Sequence, residues 1–225
     1  MRSILALLRK DLLNELRHRE VLSLLVGLAI LVALILAIGI NGAFISPEAV
    51  RKLYPALIWV VSVLICTISI GKSFEYEAAG QAIDGVLLRL DQVWQLFLAK
   101  VISNYAVVAV GHFTAMLMLA LFFDVPLTVF SVPMVVVALL VLWGYAALAT
   151  LISALTVRSS LRSMLLPLLL LPLLFPLLFG AIELSSVIML GSSPQGVSHW
   201  LALVIGLDLL YSVCGLLLFE HAVRD

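Results

Sequence analysis

The sequence contains little charge. Only 12% of its 225 residues are Asp, Glu, Lys or Arg, about half the share in soluble domains, while 64% are hydrophobic. A chain with so few polar side chains cannot cover a surface that faces water. This excludes a soluble enzyme, a disordered chain and a free-standing nucleic-acid-binding protein. The class that remains is a polytopic integral membrane protein.

Cysteine and the common catalytic motifs are equally scarce. Cys66 and Cys214 both fall inside apolar runs, which predicts small buried hydrophobic residues rather than a disulfide framework. The sequence has no HExxH, GxSxG or CxxC motif. Gly71-Lys72-Ser73 resembles the end of a phosphate-binding loop, but Cys66 occupies the position of that loop's first glycine. We therefore expect no catalytic residue, nucleotide site or resident metal or cofactor in this chain.

Long hydrophobic runs are abundant. A helix of roughly 20 apolar residues crosses about 30 Å of hydrocarbon, and barrel strands would instead alternate in polarity. The runs predict an all-α membrane protein in which residues 1–225 form one transmembrane domain. The predicted spans are residues 21–40, 54–71, 101–123, 132–152, 163–182 and 200–219.

The basic residues indicate the orientation of these spans. If the N-terminus is cytoplasmic, every Lys and Arg except Arg51 and Lys52 lies on the inner side. We therefore expect a multi-pass membrane protein with both termini in the cytoplasm. Residues 1–20 carry a leucine stripe among charged residues, which predicts an amphipathic helix along the lipid interface rather than a basic flank alone.

The segment from residue 72 to residue 100 is far longer than a connector between two spans needs to be. It combines acidic residues with helical periodicity, which predicts one or two short cytoplasmic helices that present acidic and aromatic groups to a soluble partner. The alternative is a helix hairpin that lies on the membrane surface without a partner.

The segments on the outer side give further expectations. Ser46-Pro47-Glu48 is typical of a helix start and predicts a short external helix from Pro47 to Leu53. Residues 183–199 are expected to be polar and flexible. The three prolines of the fifth span predict a bend or a partial re-entry into the membrane. Glu183, His199 and Trp200 are candidate outer-face residues, with Trp200 an interfacial anchor.

Two ionisable residues lie near the middle of spans. Burying such a group costs about 2.5–3.5 kcal/mol on insertion scales, so His112 and Asp208 are candidates for an intramembrane polar site or a translocation path. They would also satisfy each other if they paired across helices. The alternative is that each makes only a structural hydrogen bond.

Specific stretches resemble the haem exporter protein B family, permease subunits of ABC-2-type exporters that act in cytochrome c maturation. Residues 72–77 and 80–88 are similar to that family's acidic loop, and Leu98-Ala99-Lys100 to the stretch that leads into its third span. Residues 165–176 are similar to its leucine- and proline-rich fifth span. Arg89-Leu90-Asp91 departs from the family pattern, which has a proline-containing turn there.

The resemblance implies a subunit that depends on partners. Two copies of a separate ABC ATPase would supply ATP-Mg chemistry, and two copies of this chain would pair within membrane lipid. A tryptophan-rich haem-handling membrane protein, a small membrane subunit and a periplasmic haem chaperone would complete the system, with haem as possible cargo and no nucleic acid. The residues implied to dock the ATPase are Glu75, Tyr76, Glu77, Asp84 and Gly85. They belong to the segment from residue 72 to residue 100, which we call the coupling segment.

Two other functions share the same sequence features. One is an ABC-2 permease that exports another amphiphile, such as a drug, a lipid or a glycan carrier. The other is a membrane scaffold that assembles haem-handling proteins without transporting anything, and in which His112 and Asp208 are purely structural.

Overall fold

The computed structural model describes residues 20–42, 45–79, 93–156, 159, 161–191 and 197–224. Within these ranges the chain forms helices and no strand, and six of the helices are long and apolar enough to cross a membrane. The predicted six-span, all-α membrane fold is confirmed. The helices are α1 (Glu20–Gly42), α2 (Pro47–Ala79), α3 (Trp94–Phe122), α4 (Val132–Thr156), α5 (Arg162–Leu190) and α6 (Val197–Arg224).

Helix α2 is longer than predicted at both ends. The Ser46 hydroxyl accepts a hydrogen bond from the Ala49 backbone N–H at 3.3 Å, so the predicted helix start is confirmed. The separate external helix ending at Leu53 is wrong, however, because Pro55 lies inside one continuous helix rather than in its first turn. The 33 residues of α2 extend about 50 Å at about 1.5 Å per residue, well beyond the hydrocarbon thickness.

The coupling segment therefore begins as part of a membrane helix. Helix α2 continues through Ala79, because its last residues include strong helix formers such as glutamate and alanine. The far end of the segment belongs to α3, which begins at Trp94. The prediction of separate short helices within residues 72–100 is thus wrong for both ends of the segment, which belong to α2 and α3. Residues 80–92 lie outside the described residues. The predicted interfacial helix over residues 1–20 lies outside them except for Glu20.

The fifth span is also longer than predicted. Helix α5 includes Pro167, Pro172 and Pro176 and continues to Leu190. The prediction of a flexible segment over residues 183–199 is therefore wrong for residues 183–190. Gly191 ends the helix in the left-handed conformation at φ 65° and donates its N–H to the Val187 carbonyl.

Helix α4 is the centre of the bundle. Of the residues in its spanning region, 72% are buried, against 22% in α1 and in α6. It packs against α3, α5 and α6, whereas α1 packs against α2 and α3. Small residues, including Gly144, Ala146, Ala147 and Ala149, allow neighbouring backbones to approach α4 closely. In membranes, where lipid is as apolar as leucine, such close packing is a main source of helix association.

Candidate functional site

The predicted docking residues lie at one end of the bundle. Glu75, Tyr76 and Glu77 belong to the last turns of α2, beyond the part that the hydrocarbon thickness accommodates. Asp84 and Gly85 lie outside the described residues. Helices α2 and α3 run antiparallel, since Tyr54 bonds to Met116 and Cys66 bonds to Val108. The start of α3 therefore lies at this same end, which we call the docking end.

The first residues of α3 anchor the coupling segment to the core. Phe97 is 1% exposed, and its ring packs on Phe219 of α6 with the ring centroids 5.2 Å apart. In the sequence, Phe97 is only one member of an apolar helical periodicity. The signal that could have identified this contact is Gly215, one helical turn before Phe219, since a glycine in an apolar span permits a close approach.

His112 is fully enclosed by protein. The Ser62 hydroxyl donates its single proton to the Ile58 carbonyl at 2.6 Å, so it accepts from the Nδ1–H of His112 at 2.9 Å. This assigns the neutral tautomer in which Nε2 carries the lone pair, and Nε2 has no hydrogen-bond partner among the described residues. The Trp59 and Phe113 rings pack on the imidazole with centroids 4.6 and 5.5 Å away.

Trp59 extends this arrangement to a third helix. Its Nε1–H donates to the Ser185 hydroxyl at 2.9 Å, so the group Trp59, Ser62, His112 and Ser185 joins α2, α3 and α5. We call these four residues the histidine cluster. A cavity of about 10 Å³ beside Trp59 and Ser62 has roughly the volume needed for one water and is far too small for a porphyrin.

Asp208 occupies a different place, between α6 and α4. A Cβ atom on Gly144 would lie 2.0 Å from the Asp208 Oδ1 atom, so only glycine leaves room for this carboxyl group. Oδ1 is buried and has no hydrogen-bond partner in the described part of the chain. One turn further along α6, Ser212 accepts from the Trp143 indole N–H at 3.2 Å and Tyr211 donates to the Leu173 carbonyl.

The pairing of His112 with Asp208 is therefore wrong. His112 bonds to Ser62 of α2, whereas Asp208 lies against Gly144 of α4. Both helices were known from the sequence, but the face that each residue presents depends on packing against helices that no single-sequence pattern identifies. Sequence reasoning missed Ser62, Trp59 and Gly144 because serine, tryptophan and glycine are ordinary in membrane helices.

At the opposite end of the bundle the three outer candidates do not form one site. His199 is exposed and packs edge-on against Trp200 with centroids 5.3 Å apart, and Trp200 packs against Phe179 at 5.2 Å. Glu183 is half-buried on α5 and makes no hydrogen bond or ion pair with other described residues. Among those residues no group of three or more His, Cys, Asp or Glu side chains is placed to hold a metal ion.

These features define the chain as a multi-pass integral membrane protein with the architecture of a permease subunit. A family model described as CcmB protein matches residues 2–225, which is essentially the whole chain. The chain belongs to the CcmB family, and the resemblance inferred from its acidic loop and fifth span is confirmed. Membership implies a permease subunit of an ABC-type haem exporter complex in cytochrome c maturation. No curated protein matches the chain.

Proposed function

We propose that this chain couples ATP hydrolysis in a separate ABC ATPase to haem transfer, or to release of the haem-loaded periplasmic chaperone. The ATPase docks on the coupling segment through Glu75, Tyr76, Glu77, Asp84 and Gly85. Two copies of the chain pair in the bacterial inner membrane, each with one ATPase and with both termini in the cytoplasm. A tryptophan-rich haem-handling protein and a small membrane subunit complete the assembly.

The observation that carries this proposal is the shape of the docking end. Helix α2 extends beyond the hydrocarbon and bears Glu75 and Glu77 on its last turns. The chain then returns into the bundle at α3, where Phe97 is fully packed. Because its two ends belong to α2 and α3, the coupling segment can transmit a movement of the bound ATPase to the membrane helices. A loosely attached loop would move without displacing them.

The two intramembrane residues take separate roles in this proposal. His112 holds α2 and α3 together within the histidine cluster, because its Nδ1–H is satisfied and aromatic rings enclose it. Asp208 is the polar residue that responds to the transport cycle, because its carboxyl group lies against the Gly144 backbone with Oδ1 unpaired and has no bond to a side chain of another helix like the one that ties His112 to Ser62. A buried carboxyl group without a full set of hydrogen-bond partners destabilises the fold, and ionisable residues within spans therefore usually mark functional sites.

The docking assignment is tested by replacing Glu75 and Glu77 together with alanine in the assembled complex. We expect the ATPase to be lost from the purified complex and c-type cytochrome to disappear from cells. The matched control is Glu48→Ala, which removes an exposed acid from the other end of α2, where it pairs with Lys52 at 3.0 Å. If the double variant keeps both ATPase binding and haem attachment at the level of Glu48→Ala, the docking assignment is wrong.

A further inference from the structure

Phe97 meets α6 at a position where a side chain larger than hydrogen has no room. A Cβ atom on Gly215 would lie 2.0 Å from the Cζ atom of Phe97 and 2.7 and 2.8 Å from two further ring carbons. The ring therefore lies directly on the α6 backbone. Phe219, one turn later, covers its side.

Phe97 is itself part of the coupling segment and lies next to its undescribed residues. Phe97 lies in the first turn of α3, and its N–H bonds to the carbonyl of Val93 at 3.3 Å, directly after the undescribed residues. Any tilt or shift of the start of α3 therefore moves the ring. Because the ring fits against a backbone rather than a flexible side chain, α6 has to follow or the contact has to open.

Helix α6 packs mainly against α4 and also against α5 and α3. Three of its closest contacts are at glycines: the Phe97 ring lies on Gly215, Asp208 lies against Gly144 of α4, and Val204 lies against Gly180 of α5, 2.9 Å from where a Cβ atom would be. Asp208 precedes Gly215 on α6 by about two helical turns. A displacement at Gly215 is therefore transmitted along one rigid helix to the Asp208–Gly144 contact.

We propose that the Phe97–Gly215 contact is the joint through which the coupling segment moves α6, and with it Asp208, during the transport cycle. Phe97 and Gly215 are positioning residues rather than binding residues. This inference rests on the proposed function, because it needs a motor that pushes the coupling segment. If the contact were only part of the core, changing it would alter stability and leave coupling intact.

The test compares Gly215→Ala with Gly206→Ala in the complete complex. Both substitutions add one methyl group to α6, but a Cβ atom at Gly206 meets nothing within 4 Å. We expect Gly215→Ala to retain the ATPase and its ATP hydrolysis while haem attachment to c-type cytochrome falls at least about tenfold. Gly206→Ala should match the unaltered chain. Restored haem attachment on adding Phe97→Val to Gly215→Ala would show that the contact itself is responsible.

Equal haem attachment in Gly215→Ala and Gly206→Ala would show that the Phe97–Gly215 contact does not move α6 during transport. If Gly215→Ala does not accumulate in the membrane, Phe97→Leu is the variant to measure. It replaces the ring with a smaller side chain and therefore weakens the contact with Gly215 without adding atoms. ATP hydrolysis with little haem attachment in Phe97→Leu supports the joint, and haem attachment at the unaltered level refutes it. An unaltered complex that never retains an ATPase refutes the proposed function instead, which separates the two failures.

Discussion

His112 and Asp208 are both ionisable, both buried and both near the middle of a span, yet the protein surrounds them differently. The imidazole of His112 is 0% exposed, bonded to Ser62 and flanked by aromatic rings. The carboxyl group of Asp208 lies against a bare glycine and leaves Oδ1 without a partner. Burial of an ionisable residue is thus not sufficient to mark a functional site. Each residue keeps one buried atom without a hydrogen-bond partner among the described residues, Nε2 of His112 and Oδ1 of Asp208. The difference is that His112 is also bonded to a side chain of another helix, whereas Asp208 faces the backbone of Gly144.

The same contrast applies to what each residue does for the fold. The histidine cluster connects three helices through two side-chain hydrogen bonds, so it fixes α2, α3 and α5 relative to one another. Asp208 lies on the face of α6 that packs against α4, while most of the remaining surface of α6 is exposed. His112 is therefore expected to be structural and Asp208 functional.

Asp208→Asn gives the largest expected effect. The amide has nearly the shape of the carboxyl group and fits beside Gly144, but it cannot become charged. If Asp208 responds to the transport cycle, haem attachment to c-type cytochrome should fall at least about tenfold, which corresponds to about 1.4 kcal/mol or more. Membrane levels of the chain and retention of the ATPase should stay unchanged. Haem attachment at the normal level would make Asp208 structural, as the scaffold hypothesis requires.

Gly144→Ala should act mainly on stability. The added methyl group would overlap Oδ1 of Asp208 and force α4 and α6 apart. Overpacking of this kind lowers the free energy of unfolding by about 1–3 kcal/mol. A thermal unfolding scan of the detergent-solubilised chain measures the change. Gly27→Ala is the control, because a Cβ atom at Gly27 of α1 meets nothing within 4 Å. Equal unfolding temperatures for the two variants would refute the close Asp208–Gly144 contact.

His112→Asn gives the smallest expected effect. Its side-chain NH₂ group can donate to Ser62 in place of the imidazole Nδ1–H, so the link between α2 and α3 survives and haem attachment should stay within about twofold of normal. His112→Leu removes the donor and should lower unfolding stability by about 1 kcal/mol, in the range measured for hydrogen bonds between membrane helices. A loss of haem attachment in His112→Asn as severe as in Asp208→Asn would erase the contrast between the two residues.

The sequence was informative where one physical rule dominates. Six spans follow from the length of the apolar runs, because only a helix satisfies its backbone within lipid. The Ser46 cap was likewise predictable, since the hydrogen bond involves neighbours along the chain. The end of α2 was not, because polarity marks where the hydrocarbon ends and not where the helix ends. Glutamate and alanine after Lys72 continue a helix in water as well as in lipid.

The contacts between helices were beyond single-sequence reasoning. The partner of His112 depends on which face of α3 meets α2, and both faces of α3 are apolar. Gly144 and Gly215 stand in the sequence as unremarkable residues, and their importance comes from what approaches them. The family resemblance supplied the acidic loop as a candidate docking segment, but it gave no reason to single out Phe97.

Cross-linking in the complete complex measures whether the coupling segment binds a separate ATPase. A photo-reactive amino acid at Tyr76 in the complete complex should give an adduct with the ATPase subunit after illumination. The same amino acid at Leu127, which is 58% exposed at the opposite end of the bundle, is the control and should give none. An active complex in which Tyr76 yields no ATPase adduct, or in which both positions yield it equally, would show that the ATPase does not dock on the coupling segment.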